Sequence, residues 1–577
     1  MLIKDFSKAK IFLPQPSLLG YQRENWNQFI KKDIKEIFEE IFPVYDYTGK
    51  QFELNFIEFK LSDPKYKTEE EARFKEDTYE ASLRVTFSLQ NLKTKKVIKQ
   101  EVFLANLPLL TKNGTFIVNG VEKVVISQLA RSPGVFFTAR SLGGKKFFGA
   151  KIIPSRGAWL EFETDTSGFI GVKINRQRKF AITTLLQAFG YSLAFLRKEL
   201  KDLDTKEIKY LEKTILRDST NGKEEALVEI YRKLRAEDLV SPDVAQDFIY
   251  NLFFNFQRYD LGKVGRWKTW QRLPELKPKN EIISKEDRIL KPKDVLVVLK
   301  EIIRLNNTYD AEPDSIDHLG NRRIKSLSEI LESRIRVGLL RLKRIIQDKM
   351  STLEAATLTP LQLINPKPVM SVIETFFNSS QLCQFMEGEN SLSSLEHKRR
   401  ITTSGQGGLS KERAGFEIRD VQSSYYGRIC PIQTPEGENV GLISYLATYA
   451  KINPFGFLIT PYFRVKNGQI ISQVEYLSAI EEERFKITHA GIEIDKNRKI
   501  IPSEIKARIK GDLQLVKREE VDFIDASVNQ PISVSLAPNN LAKLSYLPPP
   551  PKAIWPSFFS SFIFSDSSLK ISDTVRV

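Results

Sequence analysis

The spacing of apolar residues changes period several times along this chain, and each change marks a change of element. In "YQRENWNQFIKKDIKEIFEEIF" (residues 21–42), Trp26, Phe29, Ile30, Ile34, Ile37, Phe38 and Ile41 recur at helical spacing, which predicts an amphipathic helix. Alternation replaces it in "QFELNFIEFKL", "YEASLRVTFSLQNL" and "TKNGTFIVNGVEKVVISQLARSPGVFF", which predict strands. In the last of these, Asn113-Gly114 and Asn119-Gly120 are turn pairs flanked by β-branched residues, the signature of hairpins. Residues 181–260 return to helical spacing, as does "SLSEILESRIRVGLLRLKRIIQDKM" (326–350), with Leu331, Ile335, Leu339, Leu342 and Ile346 on one face. The cations on the other faces of that helix read as a solvated surface. Past residue 400, strands and glycine-rich loops resume. Mixed regimes of this kind predict an α+β protein. With 577 residues, the chain exceeds one core and should form roughly two to four domains.

The formal net charge is +16, which favours a large anionic partner, either nucleic acid or an anionic membrane surface. The two cysteines, Cys383 and Cys430, and the three histidines, His318, His397 and His489, form no CxxC or HxxxH pair, so a structural zinc site is not expected. So few cysteines suit a reducing compartment. Asp5 and scattered lysines interrupt the first twenty residues, which read neither as a secretory signal nor as a transit peptide. No run of about 18 apolar residues suggests a membrane span.

Catalytic chemistry is sparse. No GxxxxGK[ST], GxSxG or HExxH motif occurs, and the acidic run "TEEEARFKED" reads as a solvated stretch rather than a metal site. The chain reads as a binder and positioner, with no catalytic residue and no metal ligand of its own.

Binding features are richer. "EHKRRITTSGQGGLSKERAG" (396–415) sets His397, Lys398, Arg399 and Arg400 before Gly405, Gly407 and Gly408, with Lys411 and Arg413 after them. Such a run fits a solvated loop, and it also fits a loop with a polyanion lying against it. Gln381 and Gln384 lie upstream, and Pro435, Glu436, Gly437 and Asn439 downstream. Amides, an arginine and backbone N–H groups can hold a sugar–phosphate chain without reading bases. In "SIDHLGNRRIKS", Asp317 and Arg322 form either a turn-closing ion pair or a joint grip on a guanine edge. Arg131 and Trp159 offer a cation and a stacking platform, or a buried tryptophan. Arg176, Arg178 and Lys179 in "NRQRKF" are candidate phosphate contacts.

"LPLLTKNGTFIVNGVEKVVISQLARSPGVFF", "RGAWLEFE", "RYDLGKVGR", "IDHLGNRR", "SSQLCQFME", "EHKRR" and "ERAGFEIRDVQSSYYGRICPIQTPEGENVGLI" occur in family order. Over about residues 21–536 the chain resembles the N-terminal half of the β subunit of bacterial-type multisubunit RNA polymerase. The resemblance implies a protrusion (1–130 and 325–380), a lobe (131–324), a fork and RNA-path region (381–460), the start of an external region (461–536) and a divergent tail (537–577). By match to the family, Gln381, Gln384, Arg400, Lys411, Pro435, Glu436 and Asn439 would line the RNA path. Lys411 stands where the family usually has arginine, so a forked contact would become a point charge. Arg131, Trp159, Ile316, Asp317 and Arg322 match positions that bind the non-template strand. Gln384, Glu387, His397, Arg400, Thr402 and Ser404 match a rifamycin pocket, with Glu387, Thr402 and Ser404 replacing the common bacterial Asp, Ser and Leu.

The resemblance also implies what the chain would work with. No cofactor would be bound here, because the family holds its catalytic Mg2+ on the β′-type subunit. The expected partners are a second β fragment, β′-type and α subunits, a sigma-type factor, DNA and RNA, with no membrane. Together they would form a nucleotidyltransferase making RNA on a DNA template. The segment after "VDFIDASVNQPISVSLA" departs from the family, and "AIWPSFFSSFIF" in it could contact the second half of a split subunit or be a disordered extension. A Lys-, Ile- and Phe-rich composition suggests a plastid-encoded chain, with the bacterial cytoplasm as the alternative. The rival readings are a free-standing, non-catalytic nucleic-acid-binding protein, which would bind single strands tightly without partners, and a peripheral membrane protein. For the latter, the helix near 327–350 lacks the aromatic residues of a membrane-lying face.

Overall fold

The computed structural model describes residues 12–14, 16–204, 208–235, 240–278, 282–352 and 358–533. The apolar tail stretch lies outside them. The chain forms two units, one from residues 1–130 and 323–577 and the other from 131–322. Helices and several sheets share both units, an α+β architecture.

In the first unit, Gly20–Gln28, a wider π turn at Phe29–Asp33 and Ile34–Ile41 make one continuous helical rod. Its predicted apolar face is buried at Trp26, Phe29, Ile34, Ile37, Phe38 and Ile41. The rod's partner is a four-stranded antiparallel sheet in the order Val44–Tyr45, Phe52–Leu61, Glu80–Asn91, Val97–Pro108. Leu83, Val85, Phe87 and Leu89 alternate into the same core, as a half-covered strand must. The 26-residue helix Leu327–Thr352 adds Leu331, Ile335, Leu339, Leu342 and Ile346. Each such side chain contributes about 1.5–3 kcal/mol on full burial. The cationic side of this helix is not wholly solvated. Arg336 lies 2.6 Å from Glu40 and 2.7 Å from Glu332, so it ties the helix to the rod.

Asn119-Gly120 closes the expected two-residue hairpin. Both residues have positive φ (51° and 77°), and Val118 pairs with Val121 across the turn. Asn113-Gly114 instead lies in a turn closed by Gly114 N–H on the Thr111 carbonyl, and it leads from the four-stranded sheet into a separate one. That second sheet orders Cys383–Phe385, Val121–Val125 and Phe116–Val118. Arg400–Thr402 pairs antiparallel with Ile443–Tyr445 and parallel with Ser127–Arg131. These two pairings bring residues near 120–130 beside residues near 383–404. A further sheet spans Lys451–Ile452 to Phe523–Asp525 around a core of Phe463, Val465, Ile500, Ile505 and Ile524.

The second unit is a five-stranded antiparallel sheet, running from Phe180–Ala181 at one edge to Gly134–Leu142 at the other, with helices between 182 and 307. Phe137, Phe148, Leu160, Phe162, Ile170, Val172 and Ile174 from the sheet meet Leu185, Val295, Val298 and Ile302 from the helices in one core. Within it, Arg266 and Asp294 are both buried and make paired 2.8 Å hydrogen bonds.

Candidate nucleic-acid interface

In the first unit, helix Ser391–Arg399 starts on Asn390, whose side chain accepts the Ser393 N–H. It delivers four successive basic residues to different surroundings. His397 is buried, and its Nδ1 accepts the Glu387 N–H at 3.1 Å while Nε2 faces Gln384 Oε1 at 3.1 Å. That pair of contacts selects the neutral Nε2–H tautomer. Burial pushes the His397 pKa down, Arg400 pushes it further, and Glu387 opposes them. Arg399 turns inward, and its guanidinium donates to the carbonyls of Leu18 (2.7 Å), Leu446 (3.2 Å) and Ala447 (2.6 Å). Burial without a carboxylate partner lowers its pKa to about 10. Arg399 is therefore a structural cation and not part of a polyanion-facing run.

Arg400 turns the other way. It is 3.0 Å from Glu387 Oε1 and 3.2 Å from the Tyr445 hydroxyl, and its guanidinium lies over the Tyr445 ring. Gln384 also donates to the Gln381 carbonyl at 3.2 Å. Gln381, Gln384, Glu387, His397 and Arg400 thus form one connected polar network, exposed at Gln381 and Glu387 and buried at His397. Thr402 and Ser404 are buried beside it, and the Thr402 hydroxyl accepts the Ser404 N–H at 3.1 Å.

The glycines have a packing reason. A Cβ on Gly405, at φ 108°, would lie 3.0 Å from Leu382, and one on Gly408 would lie 2.6 Å from the Gln128 amide. Gln128 donates to the carbonyls of Ser404 and Gln406 from 276 and 278 residues away. The loop is seated on the strand beneath it, while Lys411 and Arg413 stay exposed. Pro435, Glu436 and Asn439 sit on a second loop, with Glu436 exposed. Arg419 ties the two loops together by donating to the carbonyls of Glu438 (2.7 Å), Val440 (2.9 Å) and Ala414 (3.4 Å). Sequence patterning did not single out Gln128, Arg419 or Tyr445, because their roles depend on contacts far along the chain.

In the second unit, Arg131 is exposed and within electrostatic reach of Asp317, Arg322 and Arg176. Arg322 is 2% exposed and lies 3.4 Å from Asp317 Oδ1. Its Nε and Nη1, like Asp317 Oδ1, have no hydrogen-bond partner. The ion-pair reading of these two residues describes the geometry, and spare polar capacity remains in it. Trp159 is half-buried, with the Arg176 guanidinium 5.8 Å from its ring centre. Ile316 is half-buried on the loop carrying Asp317, and Asn321 pins that loop by donating to the Ser315 carbonyl at 2.5 Å. Arg178 is exposed. Lys179 lies 3.8 Å from Glu163 and over the Phe169 ring.

Among the described residues, no group of three His, Cys, Asp or Glu side chains is placed to hold a metal ion. None of the described helices is long and apolar enough to cross a membrane.

Three family models match the chain in order. Residues 131–325 match RNA polymerase Rpb2, domain 2; residues 384–452 match RNA polymerase Rpb2, domain 3; and residues 462–527 match the RNA polymerase beta subunit external 1 domain. The chain is also similar to proteins named DNA-directed RNA polymerase subunit beta. It is 40% identical over 535 residues to that of Syntrophomonas wolfei, covering 92% of this chain and 47% of the relative. It is 42% identical over 523 residues to that of Gloeobacter violaceus, covering 90% and 46%. It is 40% identical over 567 residues to that of Streptomyces coelicolor, covering 92% and 48%. The chain spans about half the length of the relatives it matches.

Proposed function

We propose that this chain, whose sequence corresponds to an N-terminal portion of an RNA polymerase β subunit, works as part of a DNA-directed RNA polymerase and lines the cleft that holds DNA and RNA. The observation that carries the reading is the extent of the likeness: about two-fifths identity over nine-tenths of the chain, with three β-subunit domains in order. A free-standing nucleic-acid-binding module gains no support from a likeness of that extent.

In this reading the joined surface of Gln381, Gln384 and Arg400, with Lys411, Pro435, Glu436 and Asn439 on the neighbouring loops, faces the RNA. The chemistry suits the task, since amides and a guanidinium bind phosphate and sugar oxygens without selecting bases. Arg131, Trp159, Ile316, Asp317 and Arg322 face the non-template strand, with Arg176, Arg178 and Lys179 available to its phosphates. Residues 131–324 act as the lobe, 1–130 with 325–380 as the protrusion, and 381–460 as the fork, followed by the external region. Gln384, Glu387, His397, Arg400, Thr402 and Ser404 form the wall of a rifamycin pocket. Phosphodiester bond formation uses metal ions that stabilise attacking and leaving oxygens. In this reading a β′-type subunit holds Mg2+, and this chain supplies positioning. The α subunits, a sigma-type factor and a polypeptide with the rest of β complete the assembly. A plastid origin is supported by the Lys-, Ile- and Phe-rich composition.

Native purification at moderate salt tests the proposal. Co-elution with β′- and α-type polypeptides, with RNA synthesis in the pooled complex, is the expected result. A chain that elutes alone, or that polymerises nucleotides alone, would overturn it. The companion polypeptides would also identify the compartment.

A further inference from the structure

Arg400 is held along one edge of its guanidinium and left open at the other end. The register pairs it directly with Tyr445 across two antiparallel strands, so the two side chains rise on the same face. The Tyr445 hydroxyl accepts from Arg400 Nε at 3.2 Å, and the guanidinium carbon stands 5.7 Å from the ring centre. Arg400 Nη2 donates to Glu387 Oε2 at 3.2 Å. A guanidinium carries five N–H groups in a rigid plane. The edge formed by Nε and Nη2 is therefore engaged within the fold. Among the described residues nothing accepts from Nη1, and that nitrogen is not sealed from solvent.

Both holders are themselves fixed. Tyr445 is 7% exposed, its carbonyl accepts the Cys430 N–H at 2.9 Å, and its ring shares the wall of a small cavity with Leu392 and Leu395. Glu387 is anchored through its backbone. Its N–H donates to His397 Nδ1 at 3.1 Å, and its carbonyl accepts the Ser394 hydroxyl at 2.9 Å. Both anchors lie on the helix Ser391–Arg399. The two holds differ in firmness. The Glu387 side chain is 48% exposed, so water competes for its carboxylate, whereas the Tyr445 ring is locked by burial.

We propose that Tyr445 is a positioning residue for Arg400: its ring and hydroxyl hold the Nε edge, so that the Nη1 end is presented to a phosphate of the RNA. The inference rests on the RNA-path reading of Arg400 and adds what aims it. An arginine free in water gives up rotamer freedom when it grips a phosphate, and one already held has less to lose. The phenol is neutral, so it orients the guanidinium without cancelling its charge. A second carboxylate in its place would repel the phosphate. The open end offers N–H groups to phosphate oxygens and touches no base.

The test uses elongation complexes of the assembled polymerase and follows the rate of RNA loss at moderate salt in Tyr445→Phe, Arg400→Ala and the double variant. Tyr445→Phe keeps the buried ring and removes the acceptor. It should speed RNA loss by roughly 3- to 10-fold, the scale of one hydrogen bond. The double variant should lose RNA no faster than Arg400→Ala, because the phenol acts only through the guanidinium. Release of RNA by Arg400→Ala with parental retention in Tyr445→Phe would overturn this inference and leave the RNA path standing. Losses that multiply in the double variant would overturn it as well, since Tyr445 would then act by packing alone. Unchanged retention in Arg400→Ala would remove both the inference and the RNA-path reading. Urea unfolding of Tyr445→Phe should match the parent. If it does not, Arg400→Lys decides: it keeps the charge without the fork that Tyr445 and Glu387 hold, so its RNA loss should approach that of Arg400→Ala. Parental retention in Arg400→Lys would mean that charge suffices without aim, and the inference would fall.

Discussion

Two adjacent arginines show how much one position matters. Arg399 caps three carbonyls from inside the fold, whereas Arg400 meets Glu387 and Tyr445 at the surface. Arg399→Ala should lower stability by roughly 2–4 kcal/mol, because it strands buried carbonyls, and urea unfolding followed by far-ultraviolet dichroism would read this. Arg400→Ala should leave the unfolding midpoint nearly unchanged, since its partner Glu387 is half exposed and regains water. Its effect should appear in assembled elongation complexes, as a loss of roughly 1–3 kcal/mol in salt-dependent RNA retention. Equal RNA retention with and without the Arg400 guanidinium would remove Arg400 from the RNA path.

At the scale of elements, the sheet spanning 451–525 encloses a buried ionic cluster that joins several of its pieces. Glu482 lies 2.6 Å from Arg428 and 2.5 Å from Arg508, and Tyr462 donates to it at 3.0 Å. Tyr426 donates to Asp525, and the Arg508 guanidinium stacks 3.9 Å from the Tyr426 ring centre. Burial drives the Asp525 carboxyl up to about 7, with Glu482 adding to the rise and Arg508 and Tyr426 opposing it. The folded pKa exceeds that of an unfolded aspartate, about 3.9. The contribution of Asp525 is therefore fully present below that value and is lost as pH rises through about 7. Asp525→Asn should remove this component, so unfolding free energies measured from pH 5 to 8.5 should fall less steeply with pH in the variant. Parallel curves would refute the assignment.

Elements differ in how plainly the chain announces them. The helix at 327–352 and the rod at 20–41 were legible because an apolar stripe of period 3.6 is a local pattern. The Asn119-Gly120 hairpin was legible because positive φ at both positions calls for those residues. Asn113-Gly114 carries the same dipeptide but joins two different sheets, a fact set by where the flanking strands pair and not by the turn itself.

Across the whole molecule, the six residues matched to a rifamycin pocket divide into a connected polar network and a buried corner. Glu387 is engaged by Arg400, and Thr402 spends its hydroxyl on the Ser404 backbone. Ser404 also offers less apolar area than leucine. On the proposed function, the assembled enzyme should need clearly higher rifamycin concentrations for half-inhibition than a bacterial enzyme with Asp, Ser and Leu at these positions. Inhibition of RNA synthesis at equal concentration would contradict this.

Periodicity, turn chemistry, net charge and ordered sequence blocks sufficed for the α+β class, the main helices and strands, and the likeness to β subunits. All of these depend on residues near one another in sequence. The charge run at 397–400 could not be resolved that way. Which of four neighbouring cations enters the fold depends on carbonyls near residues 18 and 446, which only the packed chain brings together. The same holds for the glycines at 405 and 408, which leave room for the Leu382 side chain and the Gln128 amide respectively, both distant in sequence. It holds as well for the raised pKa of Asp525, because desolvation is a property of burial and burial is decided by packing at long range.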